Sequence, residues 1–336
     1  MKSGRPQRKV FWFLLKQLIR MAVLLFLVSA AAFFLVSVSP IDPLKVNIGQ
    51  AALGSMSQEQ IAKLSEYWGT GLPPAERFLS WAGDFLKGDM GTSLLYRQPV
   101  SHVIGLKLSN SLWLMAVSWL VSGGAGFALG TLAGANRGKA VDKVISAYAL
   151  VTASTPAFWL ALVLLMVFAV WLKILPIGLS VPIGMEAAEV TIKDRAVHGI
   201  LPCLTLSITG MSNILLHTRE KMIQVMESDY VLFARARGES KSQIVFRHGI
   251  RNILLPALTL QLASVSEIFG GSVLVEQVFS YPGLGQAAVT AGLGGDIPLL
   301  LGITVISAAI VFTGNLIANV LYGVVDPRMR KGRKAA

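Results

Sequence analysis

Length, composition and charge argue against an ordinary soluble protein. The chain has 336 residues, of which 54% are hydrophobic and only 14% are charged. Soluble domains carry about 45–50% apolar and about 25% charged residues. A net charge of +12 can serve nucleic-acid binding, but here the basic residues stand at the ends of apolar segments rather than in one patch. The composition therefore predicts a protein that exposes apolar surface to a lipid bilayer, with no nucleic-acid partner.

Six segments are apolar and long enough to cross a bilayer, which takes about 20 residues. They are predicted at 16–38, 111–134, 143–173, 199–218, 253–275 and 298–323. The third is too long for one straight span and contains Thr155-Pro156, so a kink or break is expected there. The first continues past the small residues at 29–32 and exceeds the core of about 7–15 residues in a secretory signal, which favours an uncleaved span. The predicted fold class is an all-α, polytopic membrane protein with six transmembrane helices.

The distribution of Lys and Arg predicts the topology, because basic residues accumulate in short cytoplasmic loops. With six spans and the N-terminus inside, most of the 30 Lys and Arg residues fall in cytoplasmic segments. The predicted organisation is a cytoplasmic N-terminus (1–15), the first span (16–38), an extracytoplasmic segment (39–110), a core of five spans (111–325) and a basic cytoplasmic tail (326–336). Within the extracytoplasmic segment, Ser57 and Gln60 have the spacing of a helix capping box.

The predicted cytoplasmic segment at 219–252 carries the strongest functional signal. Its notable residues are Asp229, Tyr230, Ala234, Arg235, Ala236, Arg237 and Gly238. Asp229 can cap a short helix, and Gly238 can adopt the left-handed conformation that ends one. The small side chains of Ala234 and Ala236 would let another backbone come close. Such a helix can dock into a groove of a partner protein, and a solvated loop that obeys the positive-inside rule is the alternative.

This segment resembles the ATPase-coupling loop of permeases in the oligopeptide, dipeptide and nickel branch of ATP-binding-cassette (ABC) importers. The matching residues are Thr218-Arg219, Met226-Glu227, Asp229-Tyr230, 234–238, His248, Arg251-Asn252 and Leu255-Pro256. Further resemblance lies in Gly88-Asp89-Met90-Gly91, 154–159, 276–285, Tyr322-Gly323 and Asp326-Pro327-Arg328. Leu232-Phe233-Ala234 departs from the Glu-Ala-Ala of other ABC permeases in a way that is usual for this branch. The resemblance implies the type I ABC importer permease fold.

The resemblance also implies a set of partners in the bacterial cytoplasmic membrane. These are a second homologous permease subunit, two ATP-binding subunits that would grip residues 229–238, and an extracytoplasmic substrate-binding protein. The chain contains no GxxxxGK[ST] phosphate loop. We therefore expect ATP to be used by the partner subunits, with no cofactor bound by this chain and no enzymatic activity of its own.

Two acidic residues and one loop are candidates for the transport pathway. Glu267 lies in the predicted fifth span, where an acidic side chain costs ~2.5–3.5 kcal/mol on insertion scales. Residues 266–271 resemble the Gly-Glu-x-x-Gly-Gly of nickel permeases, so Glu267 could attract a metal ion or an amino group, or else bond to a neighbouring helix. Glu276 is the second candidate, at the external end of this span. The resemblance implies that Pro282, Gly283 and Gly285 form an external gate or a binding-protein contact, with an exposed loop as the alternative.

Small and polar residues inside two spans allow two interpretations each. Gly126, Gly130 and Gly134 repeat every four residues on one face of the second span, which permits close helix packing, either static or sliding. In the fourth span, four polar residues either line a polar path or bond to neighbouring backbone. They are Ser207, Thr209, Ser212 and Asn213.

Cargo and transport class remain separate predictions. The predicted cargo is nickel or a related metal chelate, and a dipeptide or oligopeptide is the alternative. An ion-coupled secondary transporter would need several ionisable groups at mid-membrane, where only Glu267 is clear. A membrane-embedded enzyme would need paired acids, a His cluster or an activated nucleophile on facing helices, and the sequence shows none of these patterns.

Overall fold

The computed structural model describes residues 5–38, 56–60, 73–178 and 191–325. Within these ranges the regular structure is helical, apart from one isolated bridge between Thr92 and Pro99. The helices are α1 (Arg5–Val38), α2 (Pro74–Leu86), α3 (Val100–Ala135), α4 (Ala140–Ala153), α5 (Ala157–Leu164), α6 (Ile192–Met226), α7 (Asp229–Ala236), α8 (Lys241–Ile244), α9 (Ile250–Ala263), α10 (Val265–Val278), α11 (Leu284–Leu293) and α12 (Ile297–Val325). Two π-helical stretches, Leu165–Trp171 and Val245–Gly249, continue α5 and α8. The all-α prediction is confirmed.

Candidate spans match the six predicted segments. Helices α1, α3, α6 and α12 each contain a stretch long and apolar enough to cross a membrane. Two bent pairs pass the same test together, so the described residues hold six spans if each bent pair is one span. The predicted break at Thr155-Pro156 is a 107° bend between α4 and α5. Pro156 has no N–H to donate to the Thr152 carbonyl, so the helical ladder stops there. The Thr155 hydroxyl donates to the Val151 carbonyl at 2.7 Å.

The fifth predicted span, 253–275, is not one straight helix. The helix that starts at Lys241 ends at Ala263, and α10 leaves it at an angle of 47°. The Gln261 carbonyl accepts bonds from the Trp119 indole at 2.8 Å and from the Ser264 hydroxyl at 2.8 Å. These side-chain bonds compete with the backbone hydrogen bonds of the helix at this carbonyl, and such competition is a known cause of helix kinks.

Local capping signals define other helix ends. Ser57 and Gln60 form the predicted capping box, with their reciprocal bonds at 2.9 and 3.3 Å. The remainder of that predicted helix, at 61–72, lies outside the described residues, as does the predicted tail at 326–336. Thr191 and Asp194 form a second capping box that starts α6. Because α3 and α6 are not interrupted, they run beyond the predicted spans at 111–134 and 199–218.

The chain divides into two compact units by its internal contacts. One comprises Met1–Asn110 with Gly283–Thr313, and the other comprises Ser111–Pro282 with Gly314–Ala336. The first unit has a core cluster of Phe33, Phe78 and Leu301. In the second unit, α3 and α6 pack closely. A Cβ atom added at Gly130 would lie 2.5 Å from the Leu215 carbonyl oxygen, which explains the small residue there.

Candidate functional site

The segment with the strongest sequence signal folds as the short helix α7. Its first residue is Asp229, and the N-cap position belongs to Ser228 rather than to Asp229 as predicted. The Ser228 hydroxyl donates back to the Val225 carbonyl, and its side chain makes no capping bond to an N–H group of α7. The carboxylate of Asp229 instead lies in the first turn, where the helix dipole favours negative charge.

The other end of α7 follows the prediction. Gly238 has a left-handed φ of +84°. Its N–H donates to the Arg235 carbonyl at 2.9 Å, and the N–H of Glu239 donates to the Ala234 carbonyl at 3.1 Å. This pair of bonds is the Schellman motif, which commonly ends a helix at glycine.

Burial separates the two faces of α7. Val231 and Ala234 are buried against Ile244 and the end of α6. Ala234 is therefore occupied within the chain and does not offer the predicted close approach to a partner. Leu232 and Phe233 are 65% and 70% exposed. The free face also carries the exposed residues Tyr230, Arg235, Ala236, Arg237 and Gly238.

A cleft of about 690 Å³ opens beside α7. It is lined by the end of α3, the end of α6 and the free side of α7, including Arg137, Glu227 and Arg235. Arg137 and Glu227 form an ion pair across it. The cleft therefore presents both charge signs next to the exposed apolar side chains.

An ion pair that the sequence analysis did not identify joins the start of α4 to α6. Asp142 is 3% exposed. Its carboxylate accepts bonds from Arg219 Nε at 2.5 Å and Nη2 at 2.9 Å, and from the Gly138 N–H at 2.9 Å. This forked geometry is typical of strong Arg–carboxylate pairs. Arg219 belongs to the matching pair Thr218-Arg219, but the sequence does not show that Asp142 lies opposite it.

Residues after α7 pack back onto it. The Asn252 amide donates to the Tyr230 hydroxyl at 3.4 Å and to the His248 carbonyl at 2.7 Å. His248 Nε2 lies 3.2 Å from a Glu239 carboxylate oxygen. The structure therefore brings together matching residues that stand apart in the sequence, and this arrangement fixes α7 against the following helix.

Glu267 lies in the first turn of α10, beside the bend, and is exposed on the surface of the chain. Within the described residues, no hydrogen bond or ion pair of its carboxylate is found. The neighbouring Ser266 instead bonds to the Asn315 amide oxygen at 2.9 Å. No group of three or more His, Cys, Asp or Glu side chains able to hold a metal occurs among the described residues.

Glu276 has a different environment. Its side chain is fully buried and accepts a bond of 2.6 Å from the Ser111 hydroxyl of α3. This placement ties α10 to α3 inside one compact unit. The predicted role of Glu276 in the pathway stays a prediction, and the structure supplies a partner for its carboxylate within the chain.

The predicted gate residues do not form an exposed loop. Gly283 and Gly285 are buried and Pro282 is half-buried. Gly283 immediately precedes α11, a short apolar helix of 10 residues, which is too short to cross a bilayer. Burial, with Cys203 and Glu276 nearby, raises the pKa of Tyr281 to about 12, so its hydroxyl stays protonated near pH 7.

Polar residues of α6 mostly bond inside the protein. Ser207 donates to the Ser118 carbonyl at 3.4 Å, and Ser212 pairs with Thr152 at 2.6 Å. Thr209 donates to a carbonyl of its own helix. Asn213 is the member of the set that is exposed. Ser207 and Thr209 therefore follow the backbone-bonding interpretation, whereas Ser212 bonds to a side chain of α4. Asn213 resembles Glu267 as a polar group on the surface of a span.

Comparison with known proteins identifies the family. Residues 126–331 match the binding-protein-dependent transport system inner membrane component family. The chain is 35% identical to the oligopeptide transport system permease protein AppB of Bacillus subtilis strain 168, over 90% of this chain and 94% of the relative. It is 31% identical to the glutathione transport system permease protein GsiC of Salmonella typhi, over 95% and 98% of the two chains. It is 30% identical to the di/tripeptide transport system permease protein DppB of Pseudomonas aeruginosa strain UCBPP-PA14, over 91% and 95%.

These alignments confirm the resemblance drawn from the sequence. The family match covers more than half of the chain, and each alignment runs along almost the whole of both proteins. A permease of this kind is a membrane component of a transporter and not a catalytic enzyme. The chain belongs to the binding-protein-dependent inner membrane components, the multi-pass permease subunits of ABC importers in the peptide and nickel branch.

Proposed function

We propose that this chain is one of two permease subunits of an importer that carries short peptides across the cytoplasmic membrane. An extracytoplasmic binding protein delivers the peptide, and two separate ATP-binding subunits supply the energy. The observation that carries the proposal is the cargo named for the full-length relatives, which are permeases for oligopeptides, di/tripeptides and glutathione. These names favour the peptide alternative over the nickel or metal chelate that the sequence analysis predicted first.

Helix α7 is the proposed contact for an ATP-binding subunit. Leu232 and Phe233 are exposed apolar side chains outside the candidate spans, and burying them against a partner is favourable. The opposite face of α7 packs against the end of α6 through Val231 and Ala234. A displacement of α7 therefore moves α6 as one body, and this motion can switch the access of the pathway from one side to the other.

Glu267 is the proposed contact for the positive end of the peptide. A peptide α-amino group has an ordinary pKa of about 7.7–8.0 and is mostly charged at pH 7. An exposed carboxylate within a span is costly in lipid, so it favours a position along a polar pathway. Asn213, also exposed, adds a second polar side chain on the neighbouring α6.

Uptake by cells that express the complete transporter tests the cargo. We expect uptake of a labelled dipeptide and none of radioactive nickel. Nickel uptake without dipeptide uptake would overturn the peptide proposal. Uptake that persists without ATP and collapses with an ion gradient would favour the secondary-transporter alternative.

The role of Glu267 has its own test in the same cells. Glu267→Gln should lower uptake of a free dipeptide more than uptake of its N-acetylated form, which lacks the ammonium group. Glu220→Gln removes an exposed carboxylate near the end of α6 and is the matched control. Equal effects of Glu267→Gln on both peptides would exclude ammonium recognition by this residue without touching the peptide proposal.

A charge introduced on α7 tests coupling. Phe233→Asp should abolish co-purification of the ATP-binding subunits and peptide-stimulated ATP hydrolysis in liposomes, because it places a carboxylate in an apolar interface. Gln224→Asp adds the same charge to an exposed position of α6 and should leave both unchanged. Normal assembly of the Phe233→Asp transporter would contradict the proposed contact.

A further inference from the structure

Only part of the apolar face of helix α2 packs on α1. Phe78 is 6% exposed and packs against the aromatic rings of α1. Two further apolar side chains, Leu79 and Leu86, are 67% and 87% exposed. They stand seven residues apart and so lie on the same flank of the helix. Away from this apolar face, α2 carries the exposed polar residues Glu76, Ser80 and Asp84, and the exposed Lys87 directly follows its end.

The contacts of α2 with α1 fix its depth. The Phe78 ring centroid lies 5.7 Å from that of Phe26 and 5.5 Å from that of Phe33. The apolar stretch of α1 ends at Val38. At 1.5 Å per residue, Phe33 and Phe26 lie about 8 and about 18 Å inside that end. Because the hydrocarbon core is about 30 Å thick, α2 lies beside a part of α1 that is within the membrane.

We propose that α2 is inserted into the outer leaflet of the bilayer, with Leu79 and Leu86 against the acyl chains and the polar side toward the headgroups. The sequence predicted only an extracytoplasmic segment at 39–110, so a position within the bilayer is new. A helix with one broad apolar face and one charged face is typical of such an interfacial site. The exposed apolar surface of α1 beside it, including Phe26 and Leu27, continues the same lipid-facing area.

Arg77 fits the same position. Its guanidinium carbon lies 5.8 Å from the centroid of the Phe33 ring. The charged group therefore lies against the ring itself, and such a cation–π contact is stronger where water is excluded than at a water-exposed site. The outer leaflet suits both the apolar flank and this contact. The extracytoplasmic binding protein is the competing occupant of the flank.

Spin labels in the assembled transporter, reconstituted in liposomes, test the proposal. The single native cysteine is replaced by Cys203→Ala, the partner subunits are made cysteine-free, and one label is placed through Leu79→Cys or Leu86→Cys. Ser80→Cys and Asp84→Cys on the polar side are the matched controls. Only variants that co-purify with the ATP-binding subunits and retain their ATP hydrolysis are compared. Collision rates are measured with oxygen, which enters lipid, and with chromium oxalate, which stays in water.

Labels at 79 and 86 should collide strongly with oxygen and weakly with chromium oxalate, and the control labels should show the reverse order. Equal access of chromium oxalate to all four labels would place α2 in water and overturn the proposal. The proposal would also be overturned if chromium oxalate reached the labels at 79 and 86 until the binding protein was added. The flank would then be a protein-docking surface.

Discussion

At the scale of single residues, Asp142 and Glu267 show how environment decides the role of a carboxylate. Asp142 is buried and has a guanidinium, a backbone N–H and a hydroxyl as donors. Glu267 is exposed on a span. The first arrangement stabilises the fold, whereas the second leaves a charge available to a ligand. Glu267 can be identified from the sequence because an acidic side chain in an apolar span is energetically costly. The sequence contains no pattern that pairs Asp142 with Arg219.

Removing one member of the buried pair should be strongly destabilising. Asp142→Ala leaves Arg219 without its counter-charge and should lower the free energy of unfolding by about 3–5 kcal/mol. The control is Glu227→Gln, because the Arg137–Glu227 pair has both side chains 59% exposed and should contribute only about 0–1 kcal/mol. Thermal unfolding of the purified proteins in detergent measures both. Similar losses of stability in the two variants would show that burial does not make the Asp142–Arg219 pair more important than the exposed pair.

Introducing glycine at one helix end and removing it from another should change stability in opposite directions. Ser280 and Gly238 both follow a helix and both have positive φ, at +48° and +84°. The left-handed conformation costs a residue with a Cβ atom roughly 1–2 kcal/mol, and glycine avoids this cost. Glycine in turn loses about 0.5–1 kcal/mol, because its unfolded chain has more conformational entropy to lose on folding. Ser280→Gly should therefore raise thermal stability slightly and Gly238→Ala should lower it. A lower melting temperature for Ser280→Gly would refute the strain argument.

At the scale of elements, packing explains which helix faces are occupied. The glycines of α3 that face α6 allow backbone contact, and the reciprocal bonds between Trp119 and Gln261 hold α3 to α9 at the bend. The predicted close packing at Gly126, Gly130 and Gly134 is confirmed, since a Cβ atom at each would lie within 3.0 Å of α6. Whether the contact slides during transport stays a prediction.

Substitution at this contact should be costly. Gly130→Ala would place its Cβ atom 2.5 Å from a backbone oxygen of α6, which cannot rotate away. Overpacking of this kind costs about 1–3 kcal/mol. Gly124→Ala is the control on the same helix, because nothing lies within 4 Å of its added Cβ atom and alanine favours helix formation. Melting curves that rank the two variants equally would show that α3 and α6 are not in close contact.

At the scale of the whole molecule, the positive-inside pattern predicts the orientation. Asp89 precedes α3 on the predicted outer side, and Gln224 lies near the end of α6 on the predicted inner side. Both are exposed. In a Cys203→Ala background, an impermeant maleimide should label Asp89→Cys in intact cells and Gln224→Cys only after permeabilisation. The reverse pattern would invert the topology.

The sequence by itself determined the features that depend on neighbouring residues. Apolar windows predict spans, Pro156 predicts a break, and Ser57 and Gly238 mark helix ends, because each acts within one or two turns. The ordered motifs from Thr218 to Pro256 identify the family for the same reason, since they need no knowledge of the fold.

The tertiary structure alone decided which distant residues meet. It paired Asp142 with Arg219 and Ser111 with Glu276, placed Ala234 inside rather than toward a partner, and bent the fifth span through Trp119. It also laid α2 along α1 through Phe78. Local periodicity shows that a face is apolar or polar but not what covers it, because those contacts form only when helices far apart in the chain pack together.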